Sequence, residues 1–122
     1  QLLRGSALHA CVERAFAFTE QLGVEPESGA VCAMLELPPR AGVKDATQRI
    51  WAQAEYLRAL TLRPAGQAPL LRQLKALQAH FLHAGGWNEC LDASGAVSRR
   101  DMPSTTPYHL ATCYRGLAEY FA

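Results

Sequence analysis

The sequence predicts an all-α protein with about four amphipathic helices and two small β-hairpins on one rim. Four long segments carry apolar residues at helical spacing. The short apolar runs between them are bounded by glycine, proline and aspartate, which are typical of turns. The order helix, hairpin, helix occurs twice, as two units of about 55–60 residues each. Because repeated helix pairs stack side by side around a shared core, we expect one domain over residues 1–122, forming a helical layer or a segment of a helical barrel.

Composition excludes several classes of protein. The 122 residues are 49% hydrophobic and 19% charged, as expected for one globular domain. A net charge of +1 gives no electrostatic basis for binding nucleic acid or an anionic membrane. No apolar run approaches the roughly 20 residues of a spanning helix, and no signal peptide is visible. The chain does not begin with Met, so it is either processed or a piece of a longer protein.

The cysteines indicate a reducing compartment. The chain has four of them, at positions 11, 32, 90 and 113, and they form no Cys-x-x-Cys pair. We therefore expect reduced, half-buried thiols in a cytoplasmic protein and no disulfide framework.

The first half of the chain should contain two helices around a hairpin. Apolar spacing predicts a helix over residues 2–22, ended by Gly23. Alternating apolar residues predict a strand over 30–37, after which a Pro-Pro-Arg-Ala-Gly turn leads to a short return strand from Val43. A second helix should cover 46–62, with Asp45 as its N-cap and a break at 63–66.

The second half should repeat this order. A third helix is expected over residues 68–83 and ends at Gly85-Gly86. Residues 87–91 read as a strand, the segment Asp92-Ala93-Ser94-Gly95 as a tight turn, and 96–98 as its return. The last helix should cover 107–121.

The last helix has a well-marked start. Thr106 is its expected N-cap, and Pro107 suits the first helical position. His109 then lies in the first turn, where the positive end of the helix dipole favours a neutral imidazole. Such a group, fixed on a rigid helix, is a candidate for proton transfer. The alternative is a partly buried histidine that is bonded to a backbone carbonyl.

The second helix carries a candidate sugar-binding pair. Trp51 and Glu55 are four residues apart and share a helix face. A tryptophan ring covers the C–H faces of a sugar, and a carboxylate accepts hydrogen bonds from its hydroxyls. The alternative is that Trp51 belongs to the core and that Glu55 pairs with Arg49 or Arg58 on the surface.

Other chemical motifs are weak. His80 and His83 are three apart and could share a metal ion, but no third ligand stands at a diagnostic spacing. His9 is a lone helical histidine and is interpreted as structural. The sequence contains no glycine-rich phosphate loop and no Gly-x-Ser-x-Gly elbow.

Two segments near the C-terminus resemble a known family. They are Gly-Gly-Trp-Asn-Glu-Cys-Leu-Asp-Ala-Ser-Gly at 85–95 and Met-Pro-Ser-Thr-Thr-Pro-Tyr-His-Leu at 102–110. Both resemble the C-terminal end of the N-acylglucosamine 2-epimerase superfamily, and more closely its mannose isomerase-like branch of aldose–ketose isomerases. Residues 51–55, Trp-Ala-Gln-Ala-Glu, are similar to the Trp-x-Gln-x-Glu helix of that family.

The resemblance implies a fold and an activity. The family fold is an α/α barrel of six helix pairs, of which this chain would be the C-terminal third. His109 matches a C-terminal histidine that moves a proton between the first two carbons of an opened sugar through an enediol. Trp51 and Glu55 match residues that line the sugar pocket. The implied substrate is a monosaccharide, and no metal or other cofactor is required.

The resemblance also implies that the site is incomplete. A second histidine, its nearby glutamate and a pocket arginine belong to earlier barrel helices, and none of the other three histidines stands in their motifs. The expected partners are therefore the missing N-terminal helices, or a second copy bound through exposed helix faces. The isolated chain would be inactive. The Pro-Tyr-His sequence at 107–109 also departs from the Cys-Phe-His-like ending of N-acylglucosamine 2-epimerases proper, which argues against an N-acyl sugar.

A different class of function is kept as the alternative, namely a non-catalytic helical-repeat module for binding or scaffolding. That alternative expects a closed apolar core and no polar cavity around Trp51, Glu55 and His109. The enzymatic hypothesis expects these three side chains to converge on one cavity.

Overall fold

The computed structural model describes residues 5–63 and 67–122. Its helices and strands follow in chain order: α1 (Ala7–Gly23), β1 (Met34–Glu36), β2 (Gly42–Asp45), β3 (Gln48–Arg49), α2 (Ile50–Thr61), α3 (Gln67–Ala76), a π-helical turn (Leu77–Phe81), β4 (Leu82–His83), β5 (Gly86–Trp87), β6 (Cys90–Leu91), β7 (Val97–Arg99) and α4 (Thr106–Phe121). The fold is predominantly helical with small sheets, as predicted. Part of the first predicted helix, residues 2–4, and most of the predicted break at 63–66 lie outside the described residues.

The first helix begins at a hydroxyl cap and ends against the first hairpin. The Ser6 side chain accepts a hydrogen bond from the His9 N–H at 3.1 Å. Gly23 is the last helical residue, and the extended Val24 that follows it bridges Val31. A Cβ added to Gly23 would lie 3.2 Å from the Leu35 side chain, so the absence of a side chain permits this close approach.

The first hairpin is confirmed, although it is shorter than predicted. β1 pairs with β2 in antiparallel register, with Leu35 opposite Val43. The prediction that Asp45 caps the second helix is wrong, because Asp45 ends β2. Its carboxylate instead accepts from the Thr47 N–H at 2.9 Å, which stabilises the turn after the strand.

The second helix starts later than predicted because its approach is a strand. Gln48 and Arg49 pair with β6, and the Ile50 N–H donates to the Glu89 carbonyl at 3.1 Å. These partners lie in the other half of the chain, so local helix signals could not reveal them.

The hairpin of β6 and β7 is confirmed, and its turn is held by Asp92, whose Oδ1 accepts from the Ser94 N–H at 2.8 Å.

The third predicted helix is divided. The α-helical part ends at Ala76, a π-helical turn follows, and residues 82–83 form β4. β4 pairs with β5, and Gly86, the first residue of β5, has a φ of +141°, which favours glycine. Two hairpins were predicted and the described residues form three, so that part of the prediction is wrong.

The core is centred on α2. Ile50, Ala54 and Leu57 on this helix are completely buried, and α4 and α3 pack against it. Gln53 is also buried: its Nε2 donates to the Val31 carbonyl at 2.8 Å and its Oε1 accepts from the Val31 N–H at 2.9 Å. This pair of hydrogen bonds ties the segment after α1 to the central helix.

The first helix docks on α2 through aromatic contacts. The Phe16 and Tyr56 rings are stacked, with 5.9 Å between their centres, and the Arg63 guanidinium lies 3.9 Å from the centre of the Phe16 ring. The Tyr56 hydroxyl donates to Glu20 at 2.9 Å. Apart from Gly23, no residue of α1 is fully buried, so α1 covers the central helix only partly.

Short strands lead into the two helices that carry the predicted site. β3 passes directly into α2, and the loop after β7 passes into α4. Since β3, β6 and β7 form one sheet, the first turns of both helices lie at the same end of the fold. Within the described residues, no helix is long and apolar enough to cross a membrane.

Candidate active site

The structure brings His109, Glu55 and Trp51 together. α4 packs along α2, and His109 Nδ1 lies 2.8 Å from Glu55 Oε1. The Trp51 ring, one helical turn before Glu55, lies 5.7 Å from the imidazole, measured between ring centres, at an angle of 37°. The three side chains are therefore adjacent, although Glu55 does not line the cavity that Trp51 and His109 share.

Glu55 also has a second partner. Its Oε2 lies 3.3 Å from Arg58 Nη1, one turn further along α2. The surface pairing considered as an alternative for Glu55 is therefore present together with the contact to His109. About a third of the Glu55 and His109 side chains is exposed, so water screens part of these charge interactions.

The contact fixes the orientation of the imidazole. A carboxylate only accepts hydrogen bonds, so the proton of a neutral His109 resides on Nδ1 and is donated to Glu55. Nε2 makes no hydrogen bond to any residue in the described ranges and is left with its lone pair. An orienting carboxylate on one nitrogen and a free lone pair on the other is the arrangement of a general base. Within residues 5–63 and 67–122, the partner of the His109 ring is this carboxylate and not a backbone carbonyl, which was the alternative.

The start of α4 differs from the prediction. Thr105, not Thr106, occupies the N-cap position, and it makes no side-chain capping bond. Thr106 is the first helical residue and is buried, and its hydroxyl donates to Glu89 Oε2 at 2.9 Å. The prediction of Thr106 as N-cap is therefore wrong, because a buried carboxylate competes for the hydroxyl. Pro107 is the second residue of α4, one position later than predicted, and still lies in the first helical turn.

A cavity of about 530 Å³ opens beside the imidazole. It is lined by Trp51, Glu89, Arg99, Pro103, Thr105, Thr106 and His109. This volume lies within the range of small-molecule sites, and the lining combines an aromatic ring with hydrogen-bonding side chains. The cavity therefore has the size and chemistry to hold a small polyhydroxylated ligand.

Two residues of this cavity were missed by the sequence analysis. Glu89 is only 4% exposed, and a glutamate between Trp87 and Cys90 in an otherwise strand-like run was the available signal. Arg99 ends β7 and is already paired with Asp101, with two N–O distances of 2.7 Å. This hydrogen-bonded pairing lowers the pKa of the Asp101 carboxyl.

A second cavity of about 460 Å³ lies between α1 and α2. Its walls are mainly apolar and include Val12, Phe16 and Ala52. Trp51 borders both cavities, whereas Glu55 borders only this apolar groove and reaches the other cavity through its contact with His109.

The other histidines lie away from this site. His83 Nδ1 accepts from the Gly85 N–H at 3.2 Å, and His80 lies on the π-helical turn. Neither His9, His80 nor His83 borders the cavity beside His109. Among the residues that the structure describes, no cluster of three or more His, Cys, Asp or Glu side chains is suited to hold a metal ion.

Comparisons with known proteins identify the fold. No family model and no curated protein matches the sequence. Among solved structures, a crystal structure of D-mannose isomerase superposes with a TM-score of 0.70 and 21% sequence identity over 88% of this chain. The match covers 30% of the D-mannose isomerase chain. The chain therefore has the fold of a part, less than one third, of a D-mannose isomerase.

Proposed function

We propose that this chain is the C-terminal part of a sugar isomerase or 2-epimerase that interconverts an aldose and a ketose of the mannose–fructose type. The observation that carries the proposal is the 2.8 Å contact between His109 Nδ1 and Glu55 Oε1, beside the Trp51 ring and at the wall of a polar cavity. The shared fold with part of D-mannose isomerase supports the same assignment. In this proposal the complete molecule is an α/α barrel of six helix pairs.

His109 acts as an acid and base on the opened sugar. Its Nε2 takes the proton from carbon 2, the C–H electron pair forms the double bond between carbons 1 and 2, and the carbonyl electron pair moves onto the oxygen of carbon 1. On the way to the ketose, this oxygen takes the hydroxyl proton of carbon 2, so that an enediol is passed through without any other proton donor. Returning a proton to carbon 1 gives the ketose, and returning one to the opposite face of carbon 2 gives the epimer. Proton movements alone balance the reaction, and a base with a pKa near 7 is suited to it.

Glu55 and Trp51 prepare this step. The Glu55 carboxylate holds the imidazole in one orientation and offsets the positive charge that His109 gains on taking the proton. The Trp51 ring provides a flat apolar surface for the C–H groups of the sugar. The second acid–base group of the epimerisation comes from elsewhere in the barrel, since the other described histidines do not border this cavity.

The test is replacement of His109 in the natural polypeptide that contains this chain. We expect His109→Asn to reduce aldose–ketose isomerisation of D-mannose and related aldoses by about 10²-fold or more, because the base is lost. His80→Asn, on the π-helical turn, serves as the matched control and should retain activity. Isomerisation by a correctly folded His109→Asn variant within a few-fold of the wild type would contradict the proposal.

A further inference from the structure

Glu89 is a buried carboxylate that the proposed proton transfer does not use. It follows β5, and its backbone is held on both sides: its N–H donates to the Arg99 carbonyl at 2.9 Å and its carbonyl accepts from the Ile50 N–H at 3.1 Å. The residue is therefore fixed between β7 and the first residue of α2. A carboxylate that is only 4% exposed requires hydrogen-bond partners, so the distribution of these partners indicates its role.

Both side-chain hydrogen bonds of Glu89 fall on the same oxygen. Oε2 accepts from Trp87 Nε1 at 3.0 Å and from the Thr106 hydroxyl at 2.9 Å. Oε1 accepts no hydrogen bond from the residues of ranges 5–63 and 67–122. The two donors fix the carboxylate in one orientation and leave its second oxygen, with its lone pairs, unused.

The unused oxygen belongs to a side chain of the cavity that Trp51 and His109 also line. Arg99 also lines this cavity, but its guanidinium donates its side-chain hydrogen bonds to Asp101 and not to Glu89. A fixed acceptor at the wall of an open cavity is suited to a ligand that brings its own O–H donor.

From this arrangement we infer that Glu89 is a substrate-binding residue whose Oε1 accepts a hydrogen bond from one hydroxyl of the sugar. The inference rests on the proposed function. In this role Glu89 selects for a ligand with a hydroxyl at that position and holds the sugar against Trp51, beside the imidazole of His109. A purely structural role would use Glu89 only to tie the start of α4 to the β5–β6 segment.

Glu89→Gln separates the two roles. The glutamine carbonyl can still accept from Trp87 and Thr106, whereas the amide NH₂ replaces the unused acceptor with a donor. In the natural polypeptide that contains this chain, we expect the melting temperature to stay within about 2 °C. We expect the KM for the aldose to rise about tenfold to a hundredfold, the range for a lost hydrogen bond to a charged group.

Monodeoxy sugars provide the decisive readout. Binding is measured by calorimetry for D-mannose and for each of its monodeoxy analogues, with the wild type and with Glu89→Gln. We expect one analogue to bind at least tenfold more weakly than D-mannose to the wild type, and to bind Glu89→Gln about as well as D-mannose does. This coupling identifies the hydroxyl that contacts Glu89.

The matched control is Trp87→Phe, which removes one donor to Oε2 and does not alter the cavity lining. Trp87→Phe should lower the melting temperature and keep the discrimination between D-mannose and the deoxy analogue.

If Glu89→Gln keeps the wild-type KM and the wild-type discrimination between these two sugars, Glu89 is structural and the inference is wrong. If the wild type neither binds nor converts any aldose, the proposed function fails, and the role of Glu89 fails with it.

Discussion

Glu55 has the largest expected effect among single side chains other than His109, because it contacts both His109 and Arg58. In Glu55→Gln the amide oxygen still accepts from Nδ1, but the negative charge that offsets the imidazolium is lost. We expect kcat for aldose isomerisation to fall about 10²-fold or more, with a smaller change in KM. Steady-state kinetics between pH 5 and 9 measure both parameters.

The control for this variant is Glu119→Gln. Glu119 pairs with Arg115 on the exposed side of α4, and its side chain is 67% exposed. The Glu119→Gln variant should have the kcat and the KM of the wild type. If Glu55→Gln retains the wild-type kcat, Glu55 does not orient the base.

Cys113 gives a prediction about stability at alkaline pH. Burial, with the nearby charge of Glu55, raises the pKa of the Cys113 thiol from 9.0 to about 11. An acid whose pKa is raised by folding contributes stability that is complete below the unfolded pKa and is lost as pH rises through the folded one. We therefore expect the free energy of unfolding to fall as pH rises from 9 to 11.

Urea titrations at several pH values measure this decrease. Burial also raises the pKa values of Cys90 and Tyr56, so the contribution of Cys113 is taken from the difference between the wild type and Cys113→Ala. The difference in the free energy of unfolding between the wild type and Cys113→Ala should become smaller above pH 9. A difference that stays constant from pH 8 to 11 would contradict the assignment.

At the scale of elements, the sequence predicted most helices and hairpins but misplaced several of their ends. Apolar spacing identified the helices because each one buries a single face. The start of α2 could not be predicted, because β3 depends on pairing with β6 in the other half of the chain. The same applies to Thr106, whose hydroxyl is directed to Glu89 and not to its own helix.

The candidate site was predictable to a similar extent. Helical spacing placed Trp51 and Glu55 on one face, and the resemblance connected them with His109. The 2.8 Å contact between α2 and α4 depends on how the two helices pack, which no local pattern specifies. Glu89 was missed because its burial and its single unused oxygen are tertiary properties.

The link between α1 and α2 gives a second prediction about stability. Gln53→Leu leaves the N–H and the carbonyl of Val31 without their present partners inside the protein. We expect a loss of about 2–4 kcal/mol in the free energy of unfolding. Gln67→Leu, at the exposed start of α3, is the control and should change it by less than about 0.5 kcal/mol. Equal urea midpoints for the two variants would show that the buried amide contributes little.

At the scale of the whole molecule, α1 exposes apolar side chains beside an apolar groove. Leu8 and Val12 are 58% and 55% exposed, and Val12 also lines the cavity between α1 and α2. We propose that other helices of the barrel cover this face in the complete protein. The 122-residue chain alone should then self-associate, and Leu8→Lys with Val12→Lys should shift it towards the monomer. Analytical ultracentrifugation measures the shift, and a wild-type chain that stays monomeric at high concentration would contradict the proposal.

The central claim is that His109 moves the proton of carbon 2. The most direct measurement follows an aldose deuterated at carbon 2 by NMR, with the natural polypeptide that contains this chain. We expect the wild type to break the C2–D bond, so that deuterium appears at carbon 1 of the ketose or in water. His109→Asn should still bind the sugar and leave the bond intact. Cleavage of the C2–D bond by His109→Asn at the wild-type rate would show that another group is the base.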